Sequence, residues 1–598
     1  MASFQCGGYR PTNRSFRLER DTKGGRGAGI RCRVLRIESL EERALLNVAG
    51  LSDGGLPLYG PLGDPSGSVT TQGDAALRAD MVRQSAGGYT GAGVKIGVLG
   101  DSVNRFGGGL AASQATGDLP ANVMVLREGP ASGVMDQGRA MLEVIHDVAP
   151  GAELVFRSGA WGELDLARAI HELADAGCDV IVDGTSYWTE PALADGPVAQ
   201  AIDHVVNVHG VAYFSAAGNA GAMVYEAVFG DGQPAEWDTS VNYAAGRNLH
   251  DFDPGPGVDV TLSVAVPSQA RLVLQWDQPW YTPGQPVSNF DLYAFDGAGN
   301  LAASSTDDNA ALRAPVESVM LGPGTYEVQI NHVSGPEAVH LKLWAAQGEV
   351  TFGEYPQEAG RGTIGGHAAA AGAATVGAAP YAGYGAGQIE PSSGRGPATV
   401  YLDGHYDRLV IPQMRAKPNF AAPDGGNTTF FGADDQDADT WPNFYGTAAA
   451  AAHAAAVAAL LLQQRPTLSP RQLYEVLADT AADQGTPGWD PVYGAGTIDA
   501  WAASSAIAQP ANYPDTLGPR AGEFSVPERS ARPVDRFTVW FDEKLDPLSA
   551  EDPGNYELRA WGPDERFGTG DDILVPLAIS YDERMRSVAV DPVGVLGP

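Results

Sequence analysis

Between Gly93 and Asn219 the chain alternates amphipathic helical segments with short, wholly apolar strand segments. The segment GAGVKIGVLGDSVN predicts a buried strand over residues 94–99, with polar residues at its carboxyl end. MDQGRAMLEVIHDVAPGAELVF then predicts a helix over residues 138–147, a Pro-Gly break and a strand over residues 153–156. The same order recurs in LDLARAIHELADAGCDVIVDGTSYW and PVAQAIDHVVNVHGVAYFSAAGN. This alternation predicts an α/β fold with a doubly wound, mostly parallel sheet, whose sites lie at the carboxyl ends of the strands.

The pattern changes between Val258 and Ala346. Here VDVTLSVAV, ARLVLQW, FDLYAF, TYEVQI and HLKLWAA are short runs with features of period two, separated by Pro, Gly and Asp turns. Such runs predict an antiparallel β-sandwich, inserted into the α/β domain. The phrase NFDLYAFDGAGNLAASSTDDN is similar to small sandwich modules that accompany secreted bacterial peptidases. The α/β pattern resumes at TIGGHAAAAGAATVGAAPY and continues to about Ala503.

The last part of the chain predicts a further β-module. After the Pro-rich joint QPANYPDTLGP, the segment DRFTVWFDEKLDPLSAEDPGNYELRAWG is typical of an Ig-like fold, which we interpret as truncated at Pro598. The predicted domains are a basic leader and linker at 1–74, the first α/β part at 75–240, the inserted sandwich at 241–350, the second α/β part at 351–508, and the Ig-like module at 509–598.

The first fifty residues are basic and rich in glycine. They lack the apolar h-region of an ordinary signal peptide, so we predict that they are disordered and lie outside the fold. From Glu38, however, ESLEERALLNVAG resembles a short LE-x-R-x-LL element found near the start of many exported, multidomain bacterial proteins. One interpretation is therefore an export-related leader of an extracellular or cell-surface protein, and the other is a plain disordered segment.

The bulk composition excludes several classes of function. The 598 residues carry a formal net charge of −35, whereas a duplex nucleic-acid partner requires a basic face. The three cysteines are too few and too scattered for a disulfide framework or a zinc site, and we expect Cys178 to be a small buried residue. Because no run approaches the roughly 20 apolar residues of a spanning helix, we expect no membrane span.

Three separated segments carry a resemblance to a known family. VKIGVLGDSVN, VAYFSAAGNAG and YGTAAAAAHAAAVAALLLQ occur in the order that is found in the subtilisin/sedolisin clan of serine peptidases. The resemblance covers about residues 75–508 apart from the predicted sandwich, and it implies a subtilisin-like sheet. In that clan, catalysis depends on an Asp after the first strand, a His or Glu at a helix start, an Asn in an AAGN-like turn and a Ser in GTS.

The resemblance places two polar residues at matching positions. Asp101 occupies the aspartate position, where a carboxylate orients and stabilises the imidazolium of a general base. Asn219, in SAAGN, occupies the oxyanion position, where a side-chain amide donates to the charge that develops on the carbonyl oxygen. Without the other motifs, these residues would be interpreted as a polar strand end and a turn asparagine.

The other two positions are degenerate. The base position falls on Gln137, which has no proton to exchange near neutral pH. The nucleophile position falls on Ala448, so the hydroxyl group expected after Thr447 is missing. The run of alanines that follows is expected to remain because a helix beneath the site must pack closely on the sheet. A site without nucleophile or base is expected to be very slow, since loss of the serine alone costs subtilisin about a millionfold in kcat.

Neighbouring groups are poor replacements for the missing ones. Glu143 and His146 lie six and nine residues after Gln137, so a helix rotates both away from it. Ser102 and Thr447 carry hydroxyls but do not occupy the nucleophile position. The remaining histidine of the motif, His453, corresponds to a structural histidine of the family.

The resemblance implies no required cofactor, although the family often uses structural calcium. GADDQDADTWPN, from Gly432, and GPDERFGTGDD, from Gly562, cluster carboxylates at spacings that suit calcium. Neither matches the complete EF-hand pattern, and solvated acidic loops are the alternative interpretation.

Three functions follow from these observations. The first is a catalytically impaired subtilase-like protein that holds an extended polypeptide in its cleft by strand addition. The second is an active serine endopeptidase, if the mapping of the catalytic positions is wrong. The third is an adhesion protein, in which the α/β domain is a scaffold and the β-modules bind a cell-surface partner or a polysaccharide.

Overall fold

The structure is a computed structural model. It describes residues 3–6, 14–15, 32–37, 67–232, 248–337, 339–355, 362–432, 435–509, 513, 519, 521–525, 536–542, 544–560 and 573–593.

From residue 95 onward the first part of the chain alternates strands and helices as the sequence predicts. Its strands are β1 (Ser3–Cys6), β2 (Arg14–Ser15), β3 (Cys32–Ile37), β4 (Lys95–Gly100), β5 (Val123–Arg127), β6 (Glu153–Ser158), β7 (Val180–Asp183) and β8 (Ala212–Ala216). Its helices are α1 (Gly73–Ala76), α2 (Ala79–Gln84), α3 (Leu110–Thr116), α4 (Gln137–Val148), α5 (Glu163–Asp175) and α6 (Pro197–His209).

The middle part is almost entirely β. Its elements are β9 (Val224–Val228), β10 (Asn248–Leu249), β11 (Leu262–Val266), β12 (Ala270–Trp276), β13 (Asn289–Asp296), β14 (Leu301–Ser305), α7 (Asn309–Leu312), β15 (Val316–Leu321), β16 (Gly324–Ser334), β17 (His340–Gln347) and β18 (Thr351–Phe352).

Strands and helices alternate again in the third part. A 3₁₀ turn at Gly366–Ala369 precedes β19 (Ala373–Pro380), β20 (Ala398–Leu402), β21 (Arg408–Arg415), β22 (Phe420–Asp424), β23 (Gly426–Asn427), β24 (Asn443–Phe444), α8 (Thr447–Gln464), α9 (Pro470–Asp479) and α10 (Ala500–Ile507). The last part contains β25 (Ala521–Ser525), β26 (Phe537–Phe541), α11 (Pro547–Ala550), a 3₁₀ turn at Pro553–Asn555, β27 (Tyr556–Ala560), β28 (Ile573–Val575), β29 (Leu577–Asp582) and β30 (Ser587–Pro592).

A seven-stranded parallel sheet forms the centre of the α/β domain, in the order β22-β19-β8-β7-β4-β6-β5. Strands β4 and β7 are wholly buried, as expected for strands covered on both faces. The predicted parallel α/β fold is therefore confirmed. Because all carboxyl ends of a parallel sheet meet at one edge, the residues that follow β4, β7, β8 and β22 lie near one another.

Helix α8 crosses one face of this sheet and packs on β7, β8, β19, β22 and α4. Its residues from Thr447 to Leu462 are buried. By length and composition alone α8 could cross a membrane, but 89% of it is buried inside the protein, as in a core helix. The alanines permit this close packing because each adds only one methyl group between helix and sheet.

Two antiparallel sheets follow the first α/β part, in the orders β14-β13-β16-β11-β18 and β15-β12-β17-β9. They share one apolar core, to which both sheets contribute, including Leu262, Leu274, Phe290 and Leu343. Strand β9 pairs with β17, so these sheets begin before residue 241, where the sequence boundary was placed. The sequence also missed β14, because LAASS is short, small and largely exposed.

The end of the chain adds further β-structure. A four-stranded antiparallel sheet, β25-β26-β30-β29, contributes to a small apolar core that includes Val539, Phe541, Val588 and Val590. Strand β27 pairs with β28 and with the N-terminal strand β3. The leader was predicted to be disordered, whereas the structure assigns strand backbone to parts of it at β1, β2 and β3.

Candidate active site

Asp101 follows β4 directly, at the carboxyl edge of the parallel sheet. Its Oδ1 accepts a hydrogen bond from the backbone N–H of Ser102 at 2.5 Å. Its Oδ2 accepts one from the backbone N–H of Met135, also at 2.5 Å. These bonds fix the carboxylate against the turn that leads into α4. Asp101 therefore lies beside the start of the helix that carries Gln137.

Gln137 is the first residue of α4 and is half-buried. The preceding residue, Asp136, has a φ of +61°, which is uncommon for residues other than glycine but tolerated by aspartate. The buried Asp136 carboxylate accepts hydrogen bonds from Ser102 Oγ at 2.6 Å and from the backbone N–H groups of Arg105 and Phe106 at 2.8 and 2.9 Å. These bonds hold the turn that positions Gln137.

The turn into α8 places Asn219 beside the start of that helix. Gly446 has a φ of +107°, a conformation that favours glycine. Asn219 Oδ1 accepts hydrogen bonds from both the backbone N–H and the hydroxyl of Thr447, each at 3.1 Å. A Cβ placed on Gly446 would lie 3.1 Å from Asn219 Nδ2. The amide of Asn219 is therefore fixed by its oxygen, which leaves its N–H₂ group beside Gly446.

The nucleophile and base positions meet at Gly184, the residue after β7. A Cβ placed on Gly184 would lie 2.9 Å from Ala448 Cβ and 3.3 Å from Gln137 Oε1. The Ala448 methyl carbon and the Gln137 amide oxygen therefore both lie beside the same backbone position, Gly184. A methyl group has no lone pair and a glutamine amide takes up no proton near neutral pH. Neither group supplies the nucleophile or the base that the predicted positions would hold in a serine peptidase.

The hydroxyl groups near Ala448 and Asp101 have other partners. Thr447 Oγ1 donates to Asn219 Oδ1 and accepts a hydrogen bond from the backbone N–H of Gly218 at 3.1 Å. Ser102 is wholly buried, and its Oγ donates to the Asp136 carboxylate. Both hydroxyls therefore stabilise the turns around the site.

Glu143 and His146 lie further along α4 than Gln137. The buried Glu143 accepts hydrogen bonds from Ser113 Oγ at 2.5 Å and from the backbone N–H of Thr429 at 2.9 Å. Burial raises the pKa of Glu143 and lowers the pKa of His146. Glu143 is thus engaged with α3 and the segment after β22, as its rotation along the helix predicts.

His453 is wholly buried within α8. Its Nδ1 lies 2.9 Å from Ala449 O, and its Nε2 lies 3.1 Å from Thr71 Oγ1. Burial lowers the pKa of His453 to about 4, so the ring is neutral at physiological pH. These contacts agree with the interpretation of His453 as a structural histidine.

Several functional candidates have no signal in the sequence. Asp424, at the end of β22, accepts a hydrogen bond from the backbone N–H of Gly446 at 2.7 Å. His367 lies between two buried carboxylates, with its Nδ1 at 2.7 Å from Glu190 Oε2 and its Nε2 at 3.4 Å from Asp183 Oδ2. Only the fold brings these groups together, since they are far apart in sequence.

One of the two predicted calcium segments lies within the described residues apart from positions 433 and 434. Asp435, Asp437 and Asp439 are exposed, and one carboxylate oxygen from each lies within 4.8 Å of the others. The segment after Gly562 lies outside the described residues. Calcium binding therefore stays a prediction.

The family comparison agrees with the motifs around this cleft. A model described as the subtilase family of peptidases matches residues 128–496, which is more than half of the chain. The chain belongs to the subtilase family. The match includes Gln137, Asn219 and Ala448 of this subtilase, whereas Asp101 precedes it.

Solved structures similar to this subtilase include MycP1 with its N-terminal propeptide removed, at 18% identity and a TM-score of 0.37, covering 73% of this chain and 96% of that one. A lanthipeptide protease has 15% identity and a TM-score of 0.36, covering 72% of this chain and 93% of that one. MycP1 from Mycobacterium smegmatis has 16% identity and a TM-score of 0.32, covering 74% of this chain and 86% of that one. No curated protein matches the chain.

Proposed function

We propose that this subtilase binds an extended polypeptide in its cleft without cleaving it. The observation that carries the proposal is the Ala448 methyl group beside the Gln137 amide at Gly184, where a peptidase needs a nucleophile and a base. Asp101 takes the acid position and Asn219 the oxyanion position. Removal of the serine alone lowers kcat by about a millionfold in subtilisin, so turnover by this chain is expected to be negligible.

The binding surface is proposed to be the backbone at the carboxyl ends of the parallel strands. Strand addition supplies affinity through main-chain hydrogen bonds and does not require the catalytic groups. The N-terminus of α8 also favours partial negative charge, such as a peptide carbonyl oxygen at Ala448. No cofactor is required for this function.

A binding measurement with a chemical probe tests the proposal. We expect fluorescently labelled, reduced casein to raise the anisotropy signal when the chain is added, with the polypeptide recovered intact by mass spectrometry. A fluorophosphonate probe is expected to leave the native protein unlabelled. A labelled serine in the cleft, or turnover that is lost in Asn219→Ala, would contradict the proposal in favour of an active endopeptidase.

We also propose that the two antiparallel sheets from β9 to β18 form an inserted β-sandwich, and that the C-terminal sheets form an Ig-like module. Their own apolar cores support this interpretation. We propose an exported, extracellular or cell-surface location, because the segment from Glu38 resembles an export-related element. If the modules bind a cell-surface partner or polysaccharide instead of the cleft binding polypeptide, the modules expressed alone should retain that binding.

A further inference from the structure

Asp424 lies next to the proposed cleft with one carboxylate oxygen unsatisfied. It is the last residue of β22 and is wholly buried. Its Oδ2 accepts a hydrogen bond from the backbone N–H of Gly446, two residues before Ala448, whereas its Oδ1 has no hydrogen-bond partner. A buried acceptor without a donor is unfavourable, so a bound donor at this position would be stabilising.

Glu390 lies close enough to Asp424 for its charge to act on that carboxyl group. The segment that begins with Glu390 packs against the turn that carries Asn219, through a hydrogen bond from the Gly394 N–H to Gly218 O at 2.8 Å and one from the Gly221 N–H to Ser392 O at 2.8 Å. Glu390 is half-buried. The segment of Glu390 therefore packs beside the Asn219 turn, and Asp424 is bonded to the turn that precedes Ala448.

An aromatic ring borders this pair. Tyr445, immediately before Gly446, is 47% exposed. A Cβ placed on Gly425 would lie 2.7 Å from Tyr445 Cε1, so the ring lies against the residue that follows Asp424. The face of such a ring attracts a cation electrostatically.

The electrostatics of this group favour a positively charged ligand. Burial, opposed by the hydrogen bond from Gly446 and reinforced by the nearby charge of Glu390, raises the pKa of Asp424 to about 7. Burial also raises the pKa of Glu390. Among the described residues, neither carboxylate forms an ion pair with lysine, arginine or histidine. A ligand cation would supply the missing charge.

We propose that Asp424, Glu390 and Tyr445 form a recognition site for a lysine or arginine side chain of the polypeptide in the cleft. This inference rests on the proposed function, because it assigns a class of ligand to the same cleft. An ammonium or guanidinium group would donate to the half-buried Glu390, and to the buried Asp424 Oδ1 once the side chains that cover this oxygen move aside, while its alkyl stem lies along Tyr445. The bond from Gly446 to Asp424 places the bound charge close to Ala448.

A pair of matched peptides tests the inference on the full chain. Fluorescein-labelled extended peptides would differ at one position, with lysine in one and the uncharged norleucine in the other. Charge-assisted hydrogen bonds predict that the lysine peptide binds about tenfold more tightly in anisotropy titrations. The double variant Asp424→Asn/Glu390→Gln should lose this preference and bind the two peptides with equal affinity.

Control variants distinguish the loss of the site from a general effect of charge and from a failure to fold. Asp80→Asn removes one negative charge on α2, which packs on α10, and should keep the lysine preference. An asparagine at 424 can still accept the hydrogen bond from Gly446. If the double variant nevertheless fails to fold, Glu390→Gln alone should reduce the preference.

Each other outcome overturns a distinct claim. Equal binding of the two peptides by the native chain would overturn the cation site and leave the proposed function intact. No binding of either peptide would contradict both the proposed function and this inference. A lysine preference abolished by millimolar Ca²⁺ would show that the carboxylates form a metal site instead.

Discussion

At the scale of single residues, hydrogen bonds fix the backbone around the candidate site. Gly446, Thr447 and Asn219 form a hydrogen-bonded turn at the start of α8, and Asp101 is fixed at the end of β4. A methyl group and an amide stand at the positions predicted for the nucleophile and the base, Ala448 and Gln137.

Gly446→Ala is predicted to impair binding as well as stability. The positive φ of this residue and the 3.1 Å approach of its Cβ to Asn219 Nδ2 would strain the turn, at a cost of about 1–3 kcal/mol. Gly488→Ala is the matched control, because Gly488 has a φ of +86° and nothing within 4 Å of its Cβ position. Thermal melting should show a loss for both variants, and peptide anisotropy a loss for Gly446→Ala alone. Equal peptide affinity in the two variants would contradict a role for this turn in binding.

His367 is predicted to stabilise the fold less as the pH rises into the alkaline range. Burial alone would lower the pKa of His367, but the charges of Glu190 and Asp183 outweigh it and hold the pKa well above its usual value. This stabilisation is therefore complete below a pH of about 6.5 and is lost as the pH rises through the folded-state pKa. Urea unfolding at pH 6 should show that His367→Gln costs about 3–5 kcal/mol, with a smaller difference at alkaline pH. A cost that does not change with pH would contradict this account.

At the scale of elements, α8 determines how closely the site can approach the sheet. Ala454 is wholly buried in this helix, so Ala454→Leu is predicted to destabilise the fold by about 1–3 kcal/mol through overpacking. Ala115→Leu, on the exposed face of α3, should change the free energy of unfolding by no more than about 0.5 kcal/mol. Chemical denaturation of both variants checks this, and equal costs would show that α8 has room for larger side chains.

The sequence predicts elements well where one physical signal dominates. Continuous apolar runs identify β4 and β7, which are buried on both faces, and amphipathic spacing identifies α5 and α6. Strand β14 has no such signal, because its pairing with β13 and not its composition defines it.

The same distinction applies to the site. Asp101, Gln137, Asn219 and Ala448 follow from motifs that each occupy a short segment. Asp424 and His367 could not be found in this way, because a single Asp after a Pro or a single His after two glycines indicates only a turn. Their unusual environments depend on groups more than twenty residues away, namely the backbone N–H of Gly446 for Asp424 and the carboxylate of Asp183 for His367.

At the scale of the whole molecule, a histidine cluster joins the α/β domain to the C-terminal sheet. His171 on α5 and His204 and His209 on α6 lie with successive ring centroids 5.2 Å apart, and His209 lies 5.8 Å from Trp540 on β26. Arg586 donates a hydrogen bond to His209 O and lies 3.4 Å from Asp179. The cluster is therefore packed where extra positive charge is unfavourable.

Acidification is predicted to loosen this junction. Burial lowers the pKa of His209 to about 4, and the charges of His204, His171 and Arg586 act in the same direction, while Asp175 on α5 offers a partly compensating negative charge. The stabilisation is thus present above a pH of about 6.5 and is lost as the pH falls towards 4. Hydrogen exchange should accelerate in β26 and α6 over this range, and less so in His209→Gln. Unchanged exchange in both elements would contradict the prediction.

A casein cleavage assay with the purified native chain is the first experiment that we would perform on the proposed loss of chemistry at this site. Ala448→Ser and Ala448→Ser/Gln137→His would be assayed beside it. The account predicts that the native chain releases no fragments, whereas the double variant, which regains a nucleophile and a base next to Asp101 and Asn219, cuts casein measurably. Cleavage by the native chain that disappears in Asn219→Ala would contradict the account and identify a working peptidase.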